Sequence, residues 1–409
     1  MSSDLKITNE LDVKAVENFR KYLQIPSVHP NVNYDGCVEF LKKQAQDLNL
    51  PIKIHYLFPN KPTVIISWYG NQPELSSILL SSHMDVVPVY EDEWNYKPFS
   101  AHVTEQGDIY ARGSQDMKSV GIQYLEAVRR LRMKNVSVRR TVHMVFTPDE
   151  EIGGAQGMGE FVKTQEFRNL NVGFSLDEGM ASPNDEFVLY YGERCIWYIV
   201  IHCPGTPGHG SLLLENTAAE KLQYLLSKFY EFREKERQKL KNNPELSLGD
   251  VTSINVNIIE GGVQANVIPP EFKMVVDCRL PATVDVVQWE NTFRSWCTEA
   301  GTGVWYEYKQ KQPQVPYSNL DSSNCFWLAF KKAADTLNLK LKPQVFPGGT
   351  NSRYVRGLGI PAFGFSPIIN TPVLLHDHNE YLNVNVFLKG IDIYCKIIVE
   401  IANVEDITG

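Results

Sequence analysis

Histidine and acidic side chains recur in this sequence at places where apolar, strand-like segments end. In an α/β sheet the carboxyl ends of the strands meet at one edge, which is the usual place for a ligand. Imidazole and carboxylate groups without thiolates form a ligand set typical of hydrolytic zinc sites. The residues concerned, each after such a segment or in a loop before a helix, are His83, Asp85, Asp116, Glu150, Glu151, Glu178 and His376.

Each of these positions also has an ordinary structural interpretation. A loop histidine such as His83 is commonly just solvated, and an aspartate before a helix, such as Asp116, is commonly an N-cap. The adjacent acids Glu150 and Glu151 repel one another unless a positive charge or full solvation offsets the cost. Taken together, two histidines and three carboxylates suffice for two metal ions that share one bridging carboxylate. A remaining carboxylate of the Glu150–Glu151 pair can then act as general base on a bridging water.

The elements that must position these residues alternate between helix and strand in the first part of the chain. Apolar residues at helical spacing predict helices, and β-rich runs predict strands. This alternation indicates an α/β domain with a mostly parallel central sheet. The predicted helices are 13–23, 35–48 and 118–134, and the predicted strands are 52–58, 63–69, 77–82, 140–147 and 172–176.

The middle of the chain follows a different pattern. Strands at 195–203, 253–259, 271–278 and 304–308 are interleaved with two helices, one opened by the capping box of Thr217 and Glu220 and one carrying Val286 to Trp296. The order β-α-β-β-α-β is the split βαβ pattern of a small α+β sandwich. Helices at 326–337 and 386–401 and a strand at 362–365 then resume the α/β style. We therefore predict a discontinuous domain, residues 1–190 and 313–409, interrupted by an inserted domain at 191–312.

Charge and composition argue against several other classes of protein. The 409 residues carry a formal charge of −8, with 48 acidic and 40 basic residues, and no basic stripe of the kind that nucleic-acid binding needs. The basic cluster Arg129–Arg140 is interpreted as a solvated helix face. We expect neither a nucleic acid nor a membrane as a partner, because no run of about 18 apolar residues is present.

The first residues and the cysteines indicate the cellular compartment in which the protein is expected. The first ten residues, MSSDLKITNE, lack the apolar region of a signal peptide. Seven cysteines are widely spread without a C-x-x-C pair, which predicts free thiols and a reducing compartment. The expectation is a soluble, cytoplasmic protein.

In this order, the motifs resemble those of the co-catalytic zinc exopeptidases and deacylases, the family that includes carboxypeptidase G. The resemblance is closest to the aminoacylase members of that family and covers nearly the whole chain. The stretches that carry it outside the ligand motifs are IYARGSQDMK (109–118), LDEGMASP (176–183), NTAAEKL (216–222), GGVQANVIP (261–269) and TPVLLHDHNEYL (371–382).

The resemblance implies two zinc ions per subunit and a role for each acidic residue around them. Asp85 would orient His83 from behind, and Glu150 would be the general base that later protonates the leaving amine. The ligands would be His83 and Glu178 at one zinc, Glu151 and His376 at the other, and Asp116 bridging both.

The resemblance also implies how substrate is held. His209 would stabilise the oxyanion from the neighbouring subunit of a homodimer, Asn266 would contact the substrate, and Arg353 would hold its carboxylate by bidentate pairing. Asn351 stands where many relatives have Asp, which removes one negative charge from this region. The inserted domain would serve dimerisation and act as a lid.

The activity implied by the resemblance is hydrolysis of small N-acyl-L-amino acids to a carboxylate and a free L-amino acid. Two alternatives stay open. One is a dipeptidase or carboxypeptidase of the same family, and the other is a binding protein that has kept the fold without catalysis.

Overall fold

The computed structural model describes residues 9–405, so most of the MSSDLKITNE segment lies outside the described residues. The helices are α1 (Glu10–Leu23), α2 (Asp35–Leu48), α3 (Lys118–Met133), α4 (Met158–Phe161), α5 (Gln165–Asn169), α6 (Ala218–Asn242), α7 (Val286–Glu299), α8 (Cys325–Thr336), α9 (Ser352–Arg356) and α10 (Val384–Ala402). The strands of the first half are β1 (Ile52–Phe58), β2 (Lys61–Trp68), β3 (Ser77–His83), β4 (His102–Val103), β5 (Asp108–Tyr110), β6 (Val142–Thr147), β7 (Val172–Asp177) and β8 (Glu186–Glu193). Those of the second half are β9 (Cys195–Pro204), β10 (Gly208–His209), β11 (Ser253–Gly261), β12 (Val267–Ile268), β13 (Glu271–Leu280), β14 (Trp305–Lys311), β15 (Lys340–Phe346), β16 (Ala362–Phe365) and β17 (Tyr381–Asn383).

Two compact units divide the chain. Of the described residues, the first contains 9–191, 318–343 and 350–405, and the second contains 192–317 and 344–349. The segment 344–349 differs from the predicted division, which left it in the discontinuous domain. It belongs to the second unit because its main chain is tied there: the Arg194 guanidinium donates to the carbonyl of Pro347, with Nη2–O at 2.6 Å.

A mixed sheet forms the frame of the first unit, with strand order β1-β2-β6-β3-β7-β16-β8-β15. The pairs β3/β6, β3/β7 and β7/β16 at its centre are parallel, whereas β1/β2, β2/β6 and β8/β16 are antiparallel. This confirms the predicted α/β class with a parallel centre. Every residue of β3 and β6 is buried, as expected of strands covered on both faces.

Helix α3 carries the loop of Asp116 into the core of the first unit. It packs against α1, α10 and β3. Gly121 allows this approach, because a Cβ at that position would lie 2.7 Å from the Ser82 hydroxyl and 2.9 Å from the Phe146 ring. The start of α3 is therefore held directly beside the ends of β3 and β6.

The second unit is an antiparallel sheet with order β11-β13-β9-β14 and two helices. Helix α6 packs on β9, β11 and β13 and begins with the predicted capping box, in which Thr217 and Glu220 exchange hydrogen bonds. Leu225, Phe229 and Phe293 fill the space between helices and sheet. The predicted α+β pattern of this segment is confirmed.

Two features differ from the predictions. Strands β8 and β15 were not predicted, although they extend the main sheet beyond β16. The interpretation of Arg129–Arg140 as a solvated face is wrong at both ends. Arg129 is 5% exposed and pairs with Glu126, and Arg140 is 1% exposed and lies over the Phe326 ring.

Two further expectations concern the state of the cysteines and membrane-spanning helices. All seven cysteines are free thiols, as predicted. Within residues 9–405, no helix combines the length and apolar character that crossing a bilayer requires.

Candidate active site

A first group of ligand-type side chains lies where the central strands of the first unit end. His83 is the last residue of β3, and Glu178 directly follows β7. The Nε2 atom of His83 is 3.0 Å from Oδ1 of Asp116 and 3.6 Å from Oε2 of Glu178. All three residues are buried, and their ligand atoms lie within 4.8 Å of one another. The group could therefore hold a metal ion.

A second group shares Asp116 with the first. The Nε2 atom of His376 is 3.2 Å from the other oxygen of Asp116, Oδ2, and 3.0 Å from Oε2 of Glu151. These atoms also lie within 4.8 Å of one another. His376 stands in a loop with a left-handed backbone, φ 62°, and its side chain is 54% exposed. One aspartate thus faces a different histidine with each of its oxygens.

Protonation of the two histidines follows from the acids around them. Burial alone would lower the pKa of His83, but the carboxylates of Glu178 and Asp116 outweigh it and raise that pKa well above its usual value. Hydrogen bonds to Asp116 and Glu151 raise the pKa of His376 to about 10. Burial acts to raise the pKa of Asp116, yet the hydrogen bonds from His376 and His83 hold it well below its usual range.

The other two carboxylates of the groups, Glu151 and Glu178, behave in the opposite way although each also faces a histidine. Burial and repulsion from Asp116 raise the pKa of Glu151 to about 7 and that of Glu178 well above its usual value. Among the described residues, Oε1 of Glu151 is buried and has no hydrogen-bond partner. Three closely spaced carboxylates with one unpaired oxygen need positive charge, and the donor set of nitrogen and carboxylate oxygen suits zinc. The residues present therefore fit the predicted pair of metal ions.

Glu150 belongs to neither ligand group although it neighbours Glu151. The two residues begin a short 3-10 turn, Glu150–Ile152, after β6. Burial, assisted by repulsion from Glu151, raises the pKa of Glu150 to about 8. A carboxylate that is not a ligand and titrates near neutral pH can both accept and return a proton.

Asp85 is placed differently from its expected role. Its carboxylate Oδ1 is 3.7 Å from Nδ1 of His83, too far for a hydrogen bond, whereas its main-chain carbonyl is at 2.9 Å. The prediction that the Asp85 carboxylate orients His83 is therefore wrong, because the main-chain carbonyl of Asp85 makes the hydrogen bond instead. The carboxylate instead accepts the main-chain N–H groups of Glu150 and Glu151, at 3.1 and 3.0 Å.

Asp116 is also not the helix cap that its position allows. The N-cap of α3 is Met117, which makes no side-chain cap. The Asp116 carboxylate faces the histidines, and its main-chain N–H donates to Oε1 of Glu380 at 3.2 Å. The interpretation of Asp116 as a ligand is thus the one that the geometry favours.

Glu380 was missed by the sequence analysis and holds the Asp116 loop. Its fully buried carboxylate pairs with Arg112 at 2.8 Å and accepts the N–H groups of Gly113 and Gln115 at 3.0 and 2.6 Å. Strand β17, which begins one residue later, pairs with β5 just before that loop. The loops that carry Asp116 and His376 are therefore joined by one carboxylate and one strand pair.

Asp149 anchors the start of the Glu150 turn. Tyr34 donates to its Oδ1 at 2.8 Å, and Lys61 pairs with its other oxygen. Its backbone is left-handed, with φ 62°. Asp149 thus fixes the turn from outside the ligand groups.

Arg353 lies beside the same turn. Its Nη2 donates to the carbonyl of Gly153 at 2.5 Å and its Nη1 to that of Thr350 at 2.7 Å. Its charge also acts on Glu150, lowering that pKa against the larger effect of burial. Nearby, Asn351 donates to Thr147 at 3.0 Å. The structure therefore brings Arg353 to the Glu150 loop.

The two remaining predicted residues, His209 and Asn266, belong to the second unit. His209 pairs across β10 and β12 with Val267, and the carbonyl of Asn266 accepts the N–H of Gly210 at 2.7 Å. His209 and Asn266 are both exposed. The fold thus brings them close to each other, while the two ligand groups lie wholly within the first unit.

The sequence is similar to a known protein family and to characterised members of it. The sequence profile of Peptidase family M20/M25/M40 matches residues 79–400. The chain belongs to this family. Aminoacylase-1 of Mus musculus is 47% identical over 400 residues, which cover 98% of each chain.

Solved structures with the M20 fold match along nearly the whole length. An M20 family metallo-carboxypeptidase from Sulfolobus solfataricus is 19% identical with a TM-score of 0.71, covering 96% of this chain and 99% of that one. A dinuclear metal-binding peptidase of the M20 family from Bacillus subtilis is 16% identical with a TM-score of 0.68, covering 95% and 98%. At these identities the likeness concerns the fold.

Proposed function

We propose that this chain is a zinc-dependent aminoacylase that hydrolyses N-acyl-L-amino acids to a carboxylate and a free L-amino acid. The observation that carries the proposal is Asp116, which faces His83 and His376 with its two oxygens beside a carboxylate that is not a ligand. The 47% identity to a mouse aminoacylase over 98% of the chain supports the choice of substrate.

The proposed ligands are those of the two groups around Asp116. His83 and Glu178 would hold one zinc, Glu151 and His376 the other, and Asp116 would bridge them. Bound zinc would polarise the amide carbonyl and lower the pKa of an attacking water. The peptidase of Bacillus subtilis with this fold is described as dinuclear, which supports two ions rather than one.

The chain's own residues would then divide the remaining work. Glu150 takes the proton of the attacking water and later returns it to the leaving amine, a role that suits its raised pKa. Arg353 holds the α-carboxylate of the substrate, because a guanidinium fork matches a carboxylate. A fixed carboxylate anchor next to the reacting amide favours substrates with a free terminal carboxylate over internal peptide bonds.

His209 and Asn266 are proposed to complete the site in a homodimer. His209 would stabilise the oxyanion from the neighbouring subunit, and Asn266 would contact the substrate. Support comes from apolar residues of the second unit that are exposed close to this strand pair along the chain. Leu212, Leu213 and Val263 are 53%, 103% and 93% exposed. Such a surface is typical of an interface.

The free cysteines support the proposal that the protein is located in the cytoplasm. All seven are free, and five of them are buried. Buried thiols without partners are stable in a reducing compartment.

The decisive test replaces the proposed base without touching a ligand. Glu150→Gln should lower kcat on N-acetyl-L-methionine by about 10³-fold or more while both metals stay bound. Glu105→Gln, at an exposed position, is the control and should keep wild-type kcat. Near-normal activity of Glu150→Gln would contradict the assignment.

The same assay separates the alternatives. A dipeptide panel that is hydrolysed faster than N-acyl amino acids would indicate a dipeptidase or carboxypeptidase. A wild-type protein that binds no metal and hydrolyses neither panel would indicate a binding protein.

A further inference from the structure

The Asp85 carboxylate binds the main chain of two acids, Glu150 and Glu151. The first is the proposed base and the second a proposed metal ligand. Each of its oxygens accepts one main-chain N–H, Oδ1 from Glu150 and Oδ2 from Glu151. The two donors belong to the first residues of a 3-10 turn, which have no partner within the turn itself. The orientation of the proposed base and of a proposed ligand is therefore set by one carboxylate.

That carboxylate is fully buried, and it also makes a hydrogen bond with the side chain of His29. The Nε2 of His29 is 2.8 Å from Oδ2 of Asp85, with side-chain exposures of 9% and 0%. The hydrogen bond to Asp85 raises the pKa of His29, which is consistent with His29 as the donor. A buried carboxylate that accepts two main-chain N–H groups gains a third donor from the His29 ring, at hydrogen-bond distance.

The main chain holds His29 against Asp85. The His29 N–H donates to the carbonyl of Val86 at 3.1 Å, and the Val86 N–H donates to that of Ser27 at 2.9 Å. The Ser27 hydroxyl donates to the carbonyl of Met84 at 2.5 Å. Residues 27–29 thus run parallel to 84–86, immediately after β3. His29 is a fixed part of the strand end that carries His83.

We propose that His29 is a positioning residue for the hydrolytic reaction, which acts through Asp85 on the orientation of Glu150. It belongs to neither ligand group and contacts Asp85, so it is not a catalytic residue. The inference rests on the proposed function, since it assigns His29 to the residue proposed as base. It predicts an effect on the chemical step and little effect on substrate binding, because the Arg353 guanidinium, the proposed substrate anchor, is held by the carbonyls of Gly153 and Thr350.

The test compares two replacements of His29. His29→Leu keeps an apolar side chain of moderate size but has no donor, and should lower kcat about 10- to 100-fold with KM changed less than about threefold. His29→Gln keeps an N–H donor of similar reach and should stay within about threefold of wild type. The matched control is His55→Leu at another partly buried histidine of the first unit, which should leave kcat unchanged.

A second measurement asks whether the effect passes through Asp85. In an Asp85→Asn background, His29→Leu should lower kcat by less than about threefold further, because residues that act as a unit are non-additive. Metal content per chain and thermal unfolding are measured for every variant. If His29→Leu does not fold, His29→Ala, which also lacks a donor, replaces it in both backgrounds with the same expected results.

Four outcomes decide between the explanations. Wild-type kcat in His29→Leu overturns the proposal, as does an equal loss in His29→Gln and His29→Leu. A full additional loss in the Asp85→Asn background shows that His29 does not act through Asp85 and overturns it too. A wild-type protein without activity on N-acetyl-L-methionine instead contradicts the proposed function itself.

Discussion

The two ligand groups share Asp116 but differ in how the fold supplies their other members. His83 and Glu178 stand at the ends of neighbouring parallel strands and are 1% and 6% exposed. His376 comes from a loop between β16 and β17, and its side chain is 54% exposed. The first group therefore consists of residues at the sheet edge and the Asp116 loop. The second group also needs His376, which a separate loop supplies.

The difference teaches that burial and accessibility can be divided between two adjacent positions. A group inside the sheet is rigid because its backbone belongs to the core. A group completed from a loop depends on whatever holds that loop, here Glu380 and the pairing of β17 with β5. We expect the first position to contribute more to the stability of the fold and the second to exchange its metal more readily.

The largest expected effect removes the residue that the two groups share. Asp116→Ala should abolish binding of both metals and lower kcat/KM by about 10⁴-fold or more, because each group loses its common carboxylate. Metal content by atomic absorption and hydrolysis of N-acetyl-L-methionine measure this. Asp185→Ala, at an exposed aspartate, is the control and should retain both metals. One metal remaining in Asp116→Ala would show that the groups are independent.

The next effect separates the two histidines. In chelator-treated protein, His83→Ala should lower the free energy of unfolding by about 3 kcal/mol, because it leaves buried carboxylates without their partner. His376→Ala should lower it by less than about 1 kcal/mol, because that side chain is half exposed. Urea denaturation measures both.

His378→Ala serves as the control for the loop that carries His376. It should change the free energy of unfolding by no more than about 0.5 kcal/mol. Equal destabilisation by His83→Ala and His376→Ala would break the distinction between a sheet-built and a loop-built group.

The same contrast explains which residues could be predicted from the sequence. His83 ends one strand and Glu151 follows shortly after another, so a rule about strand ends was enough to predict both as candidate ligands. The family resemblance then supplied their division into two groups. His29 and Glu380 could not be connected in this way. His29 is 56 residues from Asp85, and Glu380 is 264 residues from Asp116, so only the folded chain brings each pair together.

Asp85 shows a second limit of the sequence. Its spacing from His83 predicted a contact between the two side chains, but a main-chain carbonyl makes that contact and leaves the carboxylate for Glu150 and Glu151. Spacing identifies which residues are close, whereas the atom that makes each bond depends on the local backbone. The strands β8 and β15 and the buried Arg129 were missed for a related reason, since their burial depends on tertiary packing.

The smallest expected effect concerns the proton that the loop histidine His376 gives up when a metal binds. The raised pKa of His376, about 10, keeps its imidazole protonated at neutral pH until a metal displaces the proton. Metal affinity should therefore increase as pH rises toward that value and weaken in acid. Calorimetric titration of chelator-treated protein with zinc, in two buffers of different ionisation enthalpy, should show net proton release at pH 7. His376→Ala should release about one proton fewer than wild type, and His378→Ala should match wild type. Equal proton release from His376→Ala and wild type would mean that the loop histidine is already neutral before zinc binds. Any electrostatic difference between the two groups would then come from their carboxylates.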